Sequence, residues 1–322
     1  MEEKKKRFCG AVDVGGTKIS SALFTPEGNM LGKGKVAIDS SRAEKPAEQI
    51  IGIIIALEEC ARSEKGELAA IGIDIPGVVF HRTGRVWAPN IPGWEEFPLR
   101  EKVQEKVKLP LTLESDRSAY VSGEQWQGIA KGLENVVFLA VGTGIGAGLI
   151  IEGRLCHGSE DISGAVGWFA LSPELKDKYS EIGCFEAEAS GNSVARKARE
   201  FVRAGESSLL TGMVKGNIEN ITAETVVEAA QQNDPVANKV IDSAIRFLGM
   251  GIANIVSILN PEMVVLGGGL FQAGQVFLEP VRNEFKKWAQ PLAAQKVRIE
   301  LSSLGEDAGL YGAGKLAWDQ VE

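Results

Sequence analysis

The spacing of apolar positions changes several times along the chain, and each change predicts an element. Gly10 to Val14 is an apolar run that ends in Gly15-Gly16-Thr17, and Ile19 to Phe24 is a second one closed by Pro26-Glu27-Gly28-Asn29. Two such runs around a glycine turn predict a β-hairpin. Ala47, Ile50, Ile51, Ile54, Leu57 and Ala61 recur at helical spacing, so a helix is expected over 47–61. The run IGIDI then reads as a strand closed by Pro76-Gly77. Between Val137 and Ile151 the hairpin grammar returns, with an apolar run, Gly142-Thr143-Gly144 and a second apolar run. Val236, Val240, Ala244, Leu248, Ile252 and Leu259 predict a long helix that Asn260-Pro261 stops. The short strand MVVL follows and leads into Gly267-Gly268-Gly269, whereas 205–222 reads as a polar connection.

Alternating strands and helices, with glycines after strands, predict an α/β protein whose ligands lie at strand ends. The repeated hairpin is spaced too widely for a solenoid and points to two related halves. A chain of 322 residues also exceeds what one core usually organises.

Charge and composition narrow the function. A formal net charge of -8 argues against nucleic acid as a partner, because backbone affinity comes from Lys and Arg. The basic run Lys4 to Arg7 reads as a solvated tail, and the apolar stretch behind it is cut by Asp13 too soon for a signal peptide. Val136 to Ile151 is uncharged, but its glycines make it a poor membrane span. No membrane partner and a cytoplasmic location are therefore expected. Cys9, Cys60, Cys156 and Cys184 form no CxxC pair, and the two histidines, His81 and His157, read as surface turn residues.

The candidate chemistry lies in the glycines. Three clusters follow three predicted strands, where backbone N–H groups can converge on an anion without a Cβ in the way; each alone is also explained by a turn that needs φ > 0. Neither the Walker A pattern nor the dinucleotide-binding pattern is matched. Asp13, just ahead of the first turn, is placed to hold a hydrated Mg²⁺ against phosphates. Asp116 closes a strand and opens a helix, which by itself fits a helix N-cap.

Together these motifs resemble the ROK (repressor, open reading frame, kinase) family of sugar kinases. The resemblance rests on DVGGTK at 13–18, PNIPGW at 89–94, Asp116, GTGIGAG at 142–148, GCFEAEASG at 183–191, the run from 248 to 269 and GEDAGLYGAGKLA at 305–317. It implies two RNase H-like domains of the actin/hsp70/sugar kinase type with a cleft between them. By the same resemblance a smaller domain comprises 1–117 plus 304–322, and a larger one 118–303. Gly15, Gly16, Thr17 and Lys18 would form one phosphate loop, Gly142, Thr143 and Gly144 the other, and Gly267, Gly268 and Gly269 the adenosine motif. Asn90, Asp116 and Glu186 would hold a sugar, with Asp116 as the base for phosphoryl transfer from Mg²⁺-ATP, and a homodimer is implied. A repressor of this family would carry a DNA-binding segment ahead of the first phosphate loop, for which an Asp13 start leaves no room.

The chain departs from the family pattern in one segment, DISGAVGWFALSP. Where the family has Glu-x-Gly-His, with both side chains on the sugar and the His also on zinc, this chain has Ala165 and Trp168. The cysteine-rich run that completes the zinc knot falls on Asp177 to Cys184, with only Cys184 kept, and one thiolate cannot build a tetrahedral site. No structural zinc is therefore expected, and packing of Trp168, Phe169 and Leu171 is expected to hold the loop. Ser115 replaces the Asn that commonly precedes the catalytic Asp. Two uses of Trp168 stay open: an apolar face for a sugar ring, or a core aromatic filling the missing knot. Two functions also stay open, a kinase with a rebuilt sugar pocket and a sensor that binds sugar or nucleotide.

Overall fold

A computed structural model of the chain describes residues 6–273 and 275–321. Its backbone is built around two five-stranded sheets of matching plan. The first has the order β3-β2-β1-β4-β7, from β1 (Lys6–Val14), β2 (Lys18–Phe24), β3 (Met30–Ala37), β4 (Gly66–Ile75) and β7 (Leu111–Ser115). Between β4 and β7 a two-stranded ribbon, β5 (Val78–Phe80) and β6 (Arg85–Trp87), projects from the sheet. The second has the order β10-β9-β8-β11-β12, from β8 (Val136–Val141), β9 (Ile145–Ile151), β10 (Arg154–Leu155), β11 (Met263–Gly267) and β12 (Arg298–Leu301). In each sheet a hairpin is extended by parallel strands on its first strand. This is the two-domain RNase H-like arrangement of the actin and hsp70 type expected from the repeated hairpin.

Both predicted hairpins form, and the expected helices occupy Lys45–Ser63 and Pro235–Leu259. The latter is long and apolar enough to cross a membrane, but much of it is buried in the core of the second sheet. It ends where the sequence indicates, with Asn260 in the left-handed region at φ 43° before Pro261. The polar connection at 205–222 is corrected, since it contains the short helix Leu209–Met213 and a turn of 3₁₀ helix at Ile218–Asn220. Leu210 and Ile221 are fully buried there, so two anchors in a polar stretch suffice to fold it. Of the basic run, Lys6 and Arg7 are exposed at the start of β1, and Lys4 and Lys5 lie outside the described residues.

The sheets meet through two helices. Asp116–Gln127 places Val121 against Phe138, Ile150 and Val265 of the second sheet, while the C-terminal helix Ala308–Trp318 places Leu310, Ala313 and Ala317 against Ala11, Ala22 and Ala70 of the first. These helices cross at glycine: a Cβ on Gly312 would lie 1.8 Å from the Ala119 carbonyl oxygen. The buried Glu124 carboxylate adds a polar tie, accepting hydrogen bonds from Ile129 N (2.9 Å), Ser303 Oγ (3.0 Å) and Leu304 N (3.1 Å). It thereby fixes the chain between β12 and the C-terminal helix.

Because the clash at Gly312 is with backbone, relaxation must separate the helices. Gly312→Ala is expected to destabilise the fold by about 3 kcal/mol in urea unfolding. Gly52→Ala, in helix Lys45–Ser63 with nothing within 4 Å of the added Cβ, should stabilise by about 0.5–1 kcal/mol.

Candidate active site

The carboxylates of the site come from neighbouring strand ends. β1, β4 and β7 are parallel and in register, so Asp13 pairs with Asp74 and Asp74 with Glu114. In-register positions of parallel strands share a face. The three acids therefore stand in a row across the first sheet, and Asp116 follows Glu114 by two residues.

Asp74 is the one that sequence reading overlooked. It is completely buried, and neither of its oxygens has a hydrogen-bond partner among the described residues. Burial and the adjacent Asp13 carboxylate push its pKa well above the usual range, and burial also raises Asp13. Two carboxyls this close cannot both be charged without a compensating proton or cation. A lone acid in the apolar run AAIGIDIPG was the available signal.

Asp116 is the first residue of its helix, and the N-cap is Ser115, whose Oγ accepts from Ser118 N at 3.3 Å. The expectation that Asp116 caps the helix is thus corrected. The Ser115 hydroxyl, expected at the substrate, is buried and bonded to Ser118, so its visible work is to fix the helix start. Asp116 Oδ1 accepts from Arg117 N (2.8 Å), and Oδ2 faces Tyr120 Oη (3.5 Å). Burial dominates its titration and lifts the pKa to about 6, against the opposing pull of Arg117.

The first and third glycine loops open on a cavity of about 890 Å³ lined by Asp13, Gly15, Lys18, Tyr120, Gly267 to Gly269 and Ser302. The first loop is closed by Gly15 N donating to Lys18 O (2.8 Å), and Thr17 is exposed on it. Lys18 Nζ lies 3.3 Å from Glu306, at the start of the motif before the C-terminal helix. In the second loop Gly142 N donates to Gly144 O (3.0 Å), with Thr143 exposed between them. At the third cluster Gly268 has φ 92°, and a Cβ there would meet the Val141 carbonyl at 2.5 Å. Only glycine lets that turn lie against β8.

Asn90 and Glu186 approach the same region. Asn90 is exposed on the loop after β6, with its Cβ 3.8 Å from where a Cβ on Gly16 would sit. Glu186 Oε2 accepts from Ile145 N at 2.8 Å, and burial raises its pKa.

Trp168 closes a turn of 3₁₀ helix, Val166–Trp168, and is 57% exposed, so the core-filling reading is corrected. Phe169 and Leu171 do pack against the second core, as expected. The segment that replaces the knot is held by a charge cluster missed in the sequence. Glu188 accepts from Tyr179 Oη (2.6 Å) and pairs with Lys197 (2.6 Å), Lys178 (2.9 Å) and Lys176 (3.3 Å). Burial would raise Glu188, but the hydrogen bonds from Lys197, Tyr179 and Lys178 outweigh it and hold the pKa at about 2. Tyr179, which by the family resemblance falls on a cysteine position of the knot, carries a hydrogen bond to Glu188.

The two histidines are not isolated surface residues. His81 follows β5 and His157 follows β10, and their rings meet with centroids 4.3 Å apart. Glu114 Oε2 lies 2.7 Å from His157 Nε2 and 3.3 Å from His81 Nε2. The Glu114 bond lifts His81 to about 9. Burial would raise Glu114, but His157 and His81 outweigh it and hold the pKa at about 2. No spacing rule links positions on two different sheets, which is why sequence reading missed the group.

The chain is similar along most of its length to several known proteins. The glucokinase of Halalkalibacterium halodurans is 34% identical over 321 residues, covering 98% of this chain and 96% of its own. A crystal structure of a ROK family glucokinase from Streptomyces griseus in complex with glucose and AMPPNP superposes with a TM-score of 0.78 at 32% identity, over 97% of this chain and 99% of that one. The xylose repressor of Caldicellulosiruptor bescii is 31% identical over 261 residues, covering 80% of this chain and 64% of its own. The ROK family model matches residues 9–320, which takes in both sheets, all three glycine loops and the row of acids, and the chain belongs to the ROK family.

Proposed function

We propose that the protein is an ATP-dependent carbohydrate kinase that transfers the γ-phosphoryl group to a hydroxyl of a hexose or hexose derivative. The observation that carries this reading is the half-buried Asp116 carboxylate, held at a helix start and facing Tyr120, which lines a cavity that the first and third glycine loops also line. The similarity to glucokinases supports it. We assign 1–117 with 304–322 to the smaller lobe and 118–303 to the larger, a division supported by the packing of the C-terminal helix on the first sheet. A cytoplasmic homodimer is the form we expect to act.

The residues present suit Mg²⁺-ATP. Among the described residues the Asp74 oxygens meet no donor but the Asp13 carboxyl, and Lys18 and Lys35 act on Asp13 only in part against burial, which fits a hydrated cation at Asp13. ATP supplies the phosphoryl group when bound, and Mg²⁺ supplies charge neutralisation. Gly15, Gly16, Thr17 and Lys18, with Gly142, Thr143 and Gly144, present N–H groups and hydroxyls to phosphate oxygens, while Gly267 to Gly269 leave room for adenosine. Phosphoryl transfer has a loose transition state, so alignment counts for more than a strong base. Asp116 orients the acceptor hydroxyl and takes its proton late, and its nearness to physiological pH suits that role.

On the sugar side, Asn90 and Glu186 remain as polar contacts, with Ser115 behind Asp116. Trp168 stands exposed where the family's histidine would be and offers an apolar face to a sugar ring. The acceptor is left unnamed between hexoses, because Ala165 removes one carboxylate contact. The replaced knot, with Tyr179 and Glu188 in its place, holds no zinc in this reading. A second reading, a weakened member that senses sugar or nucleotide, is favoured by the same loss at Ala165 and by the similarity to a xylose repressor.

Asp116→Asn should lower kcat by about 10²- to 10⁴-fold while ATP binding persists in calorimetry; an unchanged kcat would remove the base assignment. The base works ionised, and burial places its pKa at about 6, so kcat/KM should be flat above neutrality and fall as pH drops through 6. A profile flat down to pH 4.5 would contradict this. Trp168→Ala should raise the sugar KM by about tenfold with little change in kcat or thermal midpoint. Lost stability at constant KM would mark the side chain as structural.

A further inference from the structure

We propose that His81, His157 and Glu114 form a binding site for a first-row divalent transition-metal ion of the zinc class, bridging the two sheets beside the sugar end of the cleft. The three ligand atoms, one from each side chain, lie within 4.8 Å of one another. Both histidines aim Nε2 at the same oxygen of Glu114, at 2.7 and 3.3 Å. Around zinc, with bonds of about 2.0–2.1 Å, neighbouring tetrahedral ligands stand roughly 3.3 Å apart. Of the three edges, Glu114–His81 already has that length, Glu114–His157 must open from 2.7 Å, and the two histidine nitrogens, within 4.8 Å of each other, reach it by side-chain rotation.

The surroundings of His81 are those of a metal ligand. Its Nδ1 lies 2.7 Å from Asp161 Oδ1, and its backbone N–H donates to Asp161 Oδ2 at 3.1 Å. A carboxylate on the far nitrogen of an imidazole fixes the tautomer, orients the ring and raises the basicity of the nitrogen that faces the metal. Asp161 does this from a backbone conformation in the left-handed region, φ 59°, uncommon for a residue other than glycine. Glu114 is buried and fixed on β7, whereas each histidine keeps about a third of its side chain exposed, so the group is rigid on one side and open to an ion on the other.

Two imidazole nitrogens and one carboxylate select zinc, cobalt or nickel over magnesium and calcium, which prefer all-oxygen sites. His81 and Glu114 belong to the first sheet and its ribbon, and His157 and Asp161 to the segment after β10 of the second. A bound ion would therefore tie the sheets together two residues from Asp116. This site is distinct from the replaced knot, shares no residue with it, and is independent of whether the chain is a kinase.

Metal-stripped full-length protein titrated with Zn²⁺ should bind one equivalent, and Co²⁺ should give visible d–d bands of a low-coordinate site. His157→Ala should abolish both signals. Asp161→Asn, which keeps all three ligands, should weaken Zn²⁺ binding about 10- to 100-fold. Circular dichroism on each variant confirms that the fold is intact. Cys184→Ala, at the one retained knot cysteine, should leave the titration unchanged. Absence of stoichiometric binding by the wild type, binding that survives His157→Ala, or binding lost with Cys184→Ala would each overturn the proposal.

Discussion

In-register parallel pairing of β1, β4 and β7 forces the Asp13, Asp74 and Glu114 side chains onto one face of a sheet, and everything at the site answers to the charge this creates. Like charges at neighbouring strand positions repel, and burial deepens the penalty. The molecule handles the row unevenly. Glu114 is paired with two histidines. Asp74 has no donor among the described residues, so its charge is resolved with Asp13 at the mouth of the cavity. A raised carboxyl pair beside a glycine loop is thus where the proposed cation would relieve the repulsion.

The same row explains the two titration behaviours within β7 and the helix that follows it. Glu114 is stabilised as an anion by its histidine partners, whereas Asp116, with one good backbone donor and a long contact to Tyr120, is pushed towards neutrality by burial. Two acids separated by one residue thus take different roles because Glu114 is the last but one residue of β7, whereas Asp116 already belongs to the helix that follows. One holds histidines, and the other is free for chemistry.

Much of the fold was legible because it follows local rules. Hairpins around glycine turns, the helix stopped by Asn260-Pro261 and the strand before Gly267 all form where periodicity places them. The glycine loops were legible for the same reason, since turns leave a local mark. What escaped was decided by register and by long-range contact. Asp74 looked like an oddity in an apolar strand until β1 and β7 were placed on either side of it. His81 and His157 had no detectable relation until both sheets existed. Glu188 was hidden because its partners, Lys176, Lys178, Tyr179 and Lys197, gather around it from flanking helices and loop. Asp116 was misread as the cap because a cap is chosen by backbone geometry, and the helix begins one residue earlier than that role requires, with Ser115 as its N-cap.

The loss of the knot and the survival of the loops separate two properties that family membership joins. In the proposed reading, the nucleotide-facing geometry depends on backbone turns, and the three glycine turns that would form it are all present. In the same reading, the sugar-facing chemistry depends on a few side chains, and Ala165 and Trp168 would alter two of them. The most direct measurement is ADP formation by the wild-type protein with Mg²⁺-ATP across a panel of hexoses and N-acetylated hexosamines. At least one sugar should raise the rate well above the sugar-free value, with a phosphorylated sugar formed in step with ADP. If no sugar raises it while nucleotide still binds, the chain is a sensor and not a kinase.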